Sequence, residues 1–262
     1  MPPSIHFELR DGVAHVTLHY PKRFNAMSRA MWRQLRSCFE SIQRNADVRC
    51  VLISGTGVHF CAGGDISEYT SFRFQEDSLR DFHDNEVWGA LNAMLACDVP
   101  MVAQIAGNCM GAGVEIASCC DIRLSAESAQ FGAPIAKLGF PMAPREAALV
   151  SQQVGMVTAR QMLLEAAVFS APEMLQRGDL PTLAQATVQR IGQLAPQAAR
   201  LNKQTFRALN RPLVLMEHAQ TAIENGADER LKNLLDTAYA YADSAEHREG
   251  ITAFLEKRTP RF

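Results

Sequence analysis

The stretch CVLISGTGVHFCAGGDI, residues 50–66, runs two kinds of backbone together. CVLISG (50–55) is a short, continuous apolar run closed by glycine, the pattern of a buried strand. HFCAGGDI (59–66) then sets small residues ahead of a carboxylate. Gly63 and Gly64 let the backbone approach another group closely, because no Cβ blocks it. The same order recurs downstream. MVAQIAG (101–107) reads as a second buried strand, and NCMGAGVE (108–115) follows it, with Gly111 and Gly113 flanking the start of a helix near Ala112. Upstream, Val16, Leu18 and Tyr20 alternate with polar residues until Pro21 stops a half-buried strand. From Ser28, a candidate N-cap, Met31, Leu35, Cys38 and Ile42 recur at helical spacing to about Asn45. A further helical stretch spans roughly 76–96. Strand, helix, strand, helix, strand implies an α/β fold of right-handed βαβ units, with ligands bound at strand ends.

Beyond about residue 145 the chain is helix-forming over 145–167, 182–209, 214–243 and 245–257. At 262 residues the chain suits one main body with a helical appendage. The 26 Lys+Arg against 28 Asp+Glu give a formal charge of -2, which offers no general field for nucleic acid or a membrane surface. Seven cysteines on mostly apolar segments, without a CxxC pair, read as reduced thiols. No signal peptide and no apolar run near the roughly 18 residues of a membrane span is present, so the expected location is the cytoplasm. No His/Cys/Asp spacing suggests a metal.

Two glycine loops at strand ends, one opening a helix, suggest a shared anion held by exposed N–H groups. Glycines that simply make tight turns would give the same pattern. A nucleotide phosphate cradle fits poorly: the GAG lacks the Lys-Ser/Thr of a P-loop, and there is no GxGxxG.

FCAGGDI, AGNCMGAGVEIASCCDIRLS, AQFGAPIAKLGFP and the terminal AFLEKRTPRF together resemble the enoyl-CoA hydratase/isomerase (crotonase) family across nearly the whole chain. The resemblance implies a crotonase-like spiral of repeated β-β-α units, an acyl-CoA-binding core over 1–190 and a C-terminal helical trimerisation region over 191–262. It implies a homotrimer or homohexamer and an acyl-CoA substrate, with coenzyme A entering as part of that substrate and no separate cofactor. By the same resemblance, Gly64 and Ala112 donate main-chain N–H bonds to the thioester oxygen. The family's usual glycine triplet is here Gly111-Ala112-Gly113, and alanine keeps the N–H while adding a methyl. Ala62, Gly63, Asp65 and Ile66 would line the coenzyme, Asp65 also capping its own loop, and Lys22, Arg23 and Lys257 would pair with its phosphates. Solvated surface cations are the plainer account of those three.

Glu115 lies three residues after Ala112, nearly one helical turn, and matches the first of the two glutamates a hydratase of the family uses. The second would follow the proline of FGAP, where this chain has Ile135. A hydratase-like lyase therefore stands beside a decarboxylase of the methylmalonyl-CoA type, which keeps the first glutamate and lacks the second, and beside an acyl-CoA-binding oligomer with little catalysis. In PMAPRE, Arg145 is a candidate for a substrate carboxylate and Glu146 for the missing acid, though both also suit an exposed helix start. By the same resemblance His83 and Glu86, three apart, lie on a helix that borders the acyl pocket and are candidates for a role there, though a solvated helix face is the plainer reading. Asp121 reads as structural, and His59 shows no partner.

Overall fold

The computed structural model describes residues 2–177, 242–243 and 245–258. A five-stranded sheet has the order β1 (Ser4–Arg10), β2 (Val13–His19), β3 (Cys50–Gly55), β4 (Met101–Ile105), β6 (Ile122–Ser125). Only β1 and β2 are antiparallel, as a hairpin; β2, β3, β4 and β6 run parallel. A three-stranded sheet beside it consists of β5 (Asn108–Met110), β7 (Gln130–Gly132) and β8 (Val168–Ser170). Parallel neighbours need crossovers, and the helices expected from periodicity supply them. Helix α1 (Arg29–Arg44) links β2 to β3. Ser28 caps it, its hydroxyl accepting from the Met31 N–H at 3.2 Å. Its apolar face, Met31, Trp32, Leu35, Phe39 and Ile42, is buried, each such side chain stabilising by roughly 1.5–3 kcal/mol.

Between β3 and β4 lie a 3-10 helix (Ile66–Ser71), α2 (Glu76–Asp81), a π-helical turn (Phe82–Val87) and α3 (Trp88–Ala96). Helix α4 (Ala112–Ser118) precedes β6. The expected single helix over 145–167 is instead α5 (Pro144–Val154) and α6 (Met156–Leu164), broken at Gly155, whose φ of +79° ends the first helix. β8 (Val168–Ser170) comes just after that region; three residues are too few to show a strand's period. Helix α7 (Ala171–Gln176) follows, and a helix over Ala245–Leu255 packs on the main body. The expected helix 182–209, nearly all of the expected helix 214–243 and the boundary at residue 190 lie outside the described residues. No described helix is long and apolar enough to cross a membrane. All seven cysteines are free, and all but Cys38 are fully buried.

Asn25, completely buried with φ at +60°, ties the loop after β2 to the loop after β3. Its Oδ1 accepts from the Tyr20 N–H at 2.9 Å, and its Nδ2 donates to the carbonyls of Thr56 and His59 at 2.9 and 2.8 Å. Asn25→Ala leaves those groups unpaired and is expected to cost about 3 kcal/mol. Urea unfolding measures it; a change under about 0.5 kcal/mol would show that the loops hold without this residue.

Candidate functional site

The two glycine loops meet at a cavity of about 620 Å³. The Cys61 N–H donates to the Asn108 carbonyl at 2.8 Å and the Met110 N–H to the Cys61 carbonyl at 2.9 Å, sewing the first loop to β5. Gly63 at φ +111° and Gly111 at φ +47° adopt left-handed backbone that other residues rarely tolerate. A Cβ on Gly111 would stand only 3.7 Å from the Gly63 Cα, so the loops touch. Gly64 and Ala112 both line the cavity, and among the described residues neither main-chain N–H has a hydrogen-bond partner. Gly113 serves differently from the sequence reading. A Cβ there would lie 2.8 Å from the Cys61 carbonyl oxygen, so this glycine admits α4 against the first loop rather than a ligand.

Asp65 is buried and caps the 3-10 helix. Its Oδ1 accepts from the Ser67 N–H at 3.1 Å and the Ser67 hydroxyl at 2.7 Å, with Arg23 Nη1 at 3.3 Å. Ala62, Gly63, Asp65, Ile66, Arg23 and Ile135 all reach the cavity wall, whereas Lys22 and Lys257 are exposed and do not. Lys137 and Arg258 supply wall cations instead.

Glu115 projects into the cavity one turn along α4. Desolvation, then the nearby Glu146 carboxylate, push its pKa up to about 8, with Arg73 pulling the other way. Around it stands a group of residues that the sequence reading placed elsewhere or missed. Glu146, on the first turn of α5, is buried rather than exposed, and its Oε1 lies 3.0 Å from His83 Nδ1. His83 Nε2 in turn lies 3.4 Å from Arg73 Nη1. Because a guanidinium can only donate, His83 Nε2 accepts there, and Nδ1 carries the proton given to Glu146. Arg73 is buried with its guanidinium 4.5 Å from the Tyr69 ring centroid and 3.9 Å from that of Phe140.

The solvated face expected for His83 and Glu86 is not what forms. His83 lines the cavity, while Glu86 turns to α1 and pairs with Arg29 and Arg33, both at 2.7 Å. A π-turn's wider winding gives residues three apart different directions, which the assumption of an ordinary helix hid. Arg145 does not line the cavity; it reaches Asp84 at 3.8 Å and lies over Trp88. His59 has a partner after all, its Nδ1 accepting from the Asn108 N–H at 3.0 Å. Asp121 is structural, its Oδ2 accepting from the Met101 N–H at 2.7 Å. Burial pushes the Cys61 thiol up to about 12, unsuited to a nucleophile. Among the described residues no cluster of metal-ligating side chains occurs.

Paired loops, a carboxyl and an apolar cavity on this sheet order define a class, and comparison assigns it. The profile of the enoyl-CoA hydratase/isomerase family matches residues 8–262. The chain is 30% identical over 262 residues to a probable enoyl-CoA hydratase of Mycobacterium tuberculosis, covering 95% of this chain and 94% of that protein. It is 32% identical to a crystal structure described as an enoyl-CoA hydratase/carnithine racemase from Magnetospirillum magneticum, with a TM-score of 0.76 over 98% of this chain and 94% of the other. A methylmalonyl-CoA decarboxylase in complex with 2-nitronate-propionyl-CoA overlays at a TM-score of 0.83 with 20% identity, covering 98% and 97%, a likeness of fold alone. The chain belongs to the enoyl-CoA hydratase/isomerase family.

Gly113→Ala forces its new methyl against the main chain of Cys61. The expected loss is about 1–3 kcal/mol of stability, read by thermal denaturation; an unchanged midpoint would mean that α4 and the first loop part freely.

Proposed function

We propose that the protein is an enoyl-CoA hydratase-like lyase, an acyl-CoA enzyme that stabilises a thioester enolate with the N–H groups of Gly64 and Ala112. The observation that carries this reading is the pair of unpartnered N–H groups on two touching loops, with Glu115 one turn further into the same cavity. Adding a nucleophile to a conjugated thioester moves negative charge onto the carbonyl oxygen. Donors already aimed at that oxygen stabilise the charge without reorganising, and one such donor is worth about 2.7–4 kcal/mol of barrier.

Glu115 supplies the proton. With its pKa at about 8 it holds that proton at neutral pH, beside the position where the α-carbon of a bound thioester would lie. In hydration, the oxygen of water adds at the β-carbon while Glu115 protonates the α-carbon and takes a proton back from the adding water. Arg23 at the cavity wall is the candidate for the phosphates of coenzyme A, with Lys137 and Arg258 as further cations. Lys22 and Lys257, exposed away from the cavity, have less support. Assembly as a homotrimer or homohexamer is part of the proposal and is read by sedimentation.

A second reading has one observation in its favour: Ile135, an apolar side chain, lines the cavity where the family resemblance calls for a second glutamate. Decarboxylation of a malonyl-type thioester needs only one proton donor. The carbon–carbon bond breaks, carbon dioxide leaves, the electron pair enters the enolate, and Glu115 protonates the α-carbon. Arg145 lends this reading no help, since it faces Asp84 rather than the cavity.

The deciding experiment is a mass-spectrometric screen of an acyl-CoA panel that includes crotonyl-CoA and methylmalonyl-CoA. A product heavier by water selects the lyase, loss of carbon dioxide selects the decarboxylase, and binding without turnover selects a binding oligomer. Glu115→Gln is expected to lower kcat by about 10²–10⁴; a robust rate in that variant removes Glu115 from the mechanism.

The pH dependence follows from the same group. Glu115 is the donor while protonated, so kcat should fall as pH rises through about 8. Glu146→Gln removes the negative charge that helps hold that proton, so the falling limb should move to lower pH. A limb that stays put in Glu146→Gln would show that burial alone sets the titration.

A further inference from the structure

Gly64 lacks the positive φ of Gly63 and Gly111, so backbone conformation does not demand glycine there. Space does. A Cβ on Gly64 would fall 2.1 Å from the Tyr69 hydroxyl oxygen and 3.1 Å from its Cζ. The missing side chain of Gly64 is therefore filled by the phenol of Tyr69, which lines the same cavity. The ring has little freedom. Its backbone belongs to the 3-10 helix capped by Asp65, and its edges meet Phe72, Phe82 and Phe140 at centroid distances of 5.8, 6.5 and 6.1 Å. The Arg73 guanidinium lies over its face, 4.5 Å from the centroid.

We propose that the Tyr69 hydroxyl is a third hydrogen-bond donor to the thioester oxygen, acting with the Gly64 and Ala112 N–H groups as a catalytic residue. This rests on the acyl-CoA reading above. A phenol brings an O–H donor on a rigid, apolar body, and a donor fixed before the reaction adds transition-state stabilisation without a reorganisation cost. The positive charge over the ring polarises the O–H bond in the donating direction. The hydroxyl remains intact throughout: it lends a hydrogen bond to the oxygen as charge gathers there, and Glu115 remains the group whose proton reaches carbon. A tyrosine that only filled the space beside Gly64 would be replaceable by phenylalanine with no effect on the chemistry, and this separates the two roles.

The test uses Tyr69→Phe, which keeps the ring and every ring contact and removes one oxygen. The probe is 4-dimethylaminocinnamoyl-CoA, a push–pull thioester whose absorption band moves to longer wavelength when its carbonyl oxygen is hydrogen-bonded. Wild type is expected to show a red shift on binding. In Tyr69→Phe the shift should shrink by at least about a third, with Kd within about 3-fold of wild type. With a turned-over substrate, kcat should fall by about 10–10³ while KM changes little. An undiminished shift in Tyr69→Phe overturns the role of Tyr69 and leaves the two amides standing. No binding or no shift in wild type overturns the thioester reading and this inference together.

Discussion

Everything at this site depends on the hydrogen bonds that sew the chain around Cys61 to β5. The Cys61 N–H and carbonyl are both spent on Asn108 and Met110, so the first loop extends the small sheet by one bridge before turning away. That single register decides which amides remain. Gly63 gives its carbonyl to the Met27 N–H, and the Asp65 N–H takes the Met27 carbonyl, leaving the N–H of Gly64 between them pointing free of both. On the other side the Gly111 N–H is spent on Gly132, and Glu115 returns its own to Gly111, leaving Ala112. The Gly64 and Ala112 N–H groups are thus left unanswered on the cavity wall while the amides of Cys61, Asp65, Gly111 and Glu115 are spent. In a buried location such groups are costly unless something answers them, which gives the cavity a focus for a polar ligand atom.

The second constraint is charge. Around Glu115 the chain buries Glu146 and Arg73 with the largely enclosed His83 between them, and burial without partners would be prohibitive for either charge. The order Arg73 to His83 to Glu146, each donating to the next, satisfies His83 at both ring nitrogens and spends the Glu146 charge on a neighbour other than Glu115. Glu115 is left with desolvation and a nearby like charge, both favouring its protonated form. A second titratable wall residue at position 135 would alter that balance; an isoleucine leaves it intact. The raised pKa of Glu115 therefore follows from packing two carboxyls and one guanidinium into one small space.

The parts readable from sequence were those encoded locally. Ser28 and the apolar spacing after it specify α1, and two apolar runs followed by small-residue loops specify β3, β4 and the cavity between them, since each signal lies within one element. The place of Gly64 in one glycine loop, and of Ala112 and Glu115 in the other, was legible for the same reason, and all three line the cavity. Arg73 and Tyr69 were not, and His83 and Glu146 stood only as candidates beside a plainer exposed reading. They come from the 3-10 helix and the residues just after it, the π-turn and α5, and only the folded chain shows that Tyr69, Arg73 and His83 line one cavity with Glu146 hydrogen-bonded behind His83. The π-turn compounded the difficulty. An ordinary helix puts His83 and Glu86 on one face, whereas this one sends the histidine inward and the glutamate to the arginines of α1.

Anchoring, rather than exposure, separates the cations that look alike in sequence. Lys22 and Arg23 are neighbours with the same charge, yet Arg23 is drawn to Asp65, the residue that caps the 3-10 helix, and so stands at the cavity wall. Among the described residues Lys22 has no such anchor. Lys257 and Arg258 divide the same way: Arg258 pairs with Glu249 and Glu256 and faces the cavity, while Lys257 does not. In both pairs the planar guanidinium, able to hold a carboxylate through several donors, is the member tethered to the site. A lysine's compact ammonium gains less from such a tether than from water, so adjacent residues of equal charge end on different sides of the surface. Basic residues near a ligand motif are therefore sorted by the carboxylates around them, and it is Asp65 and Glu249, rather than the count of positive charges, that decide where positive charge meets the cavity.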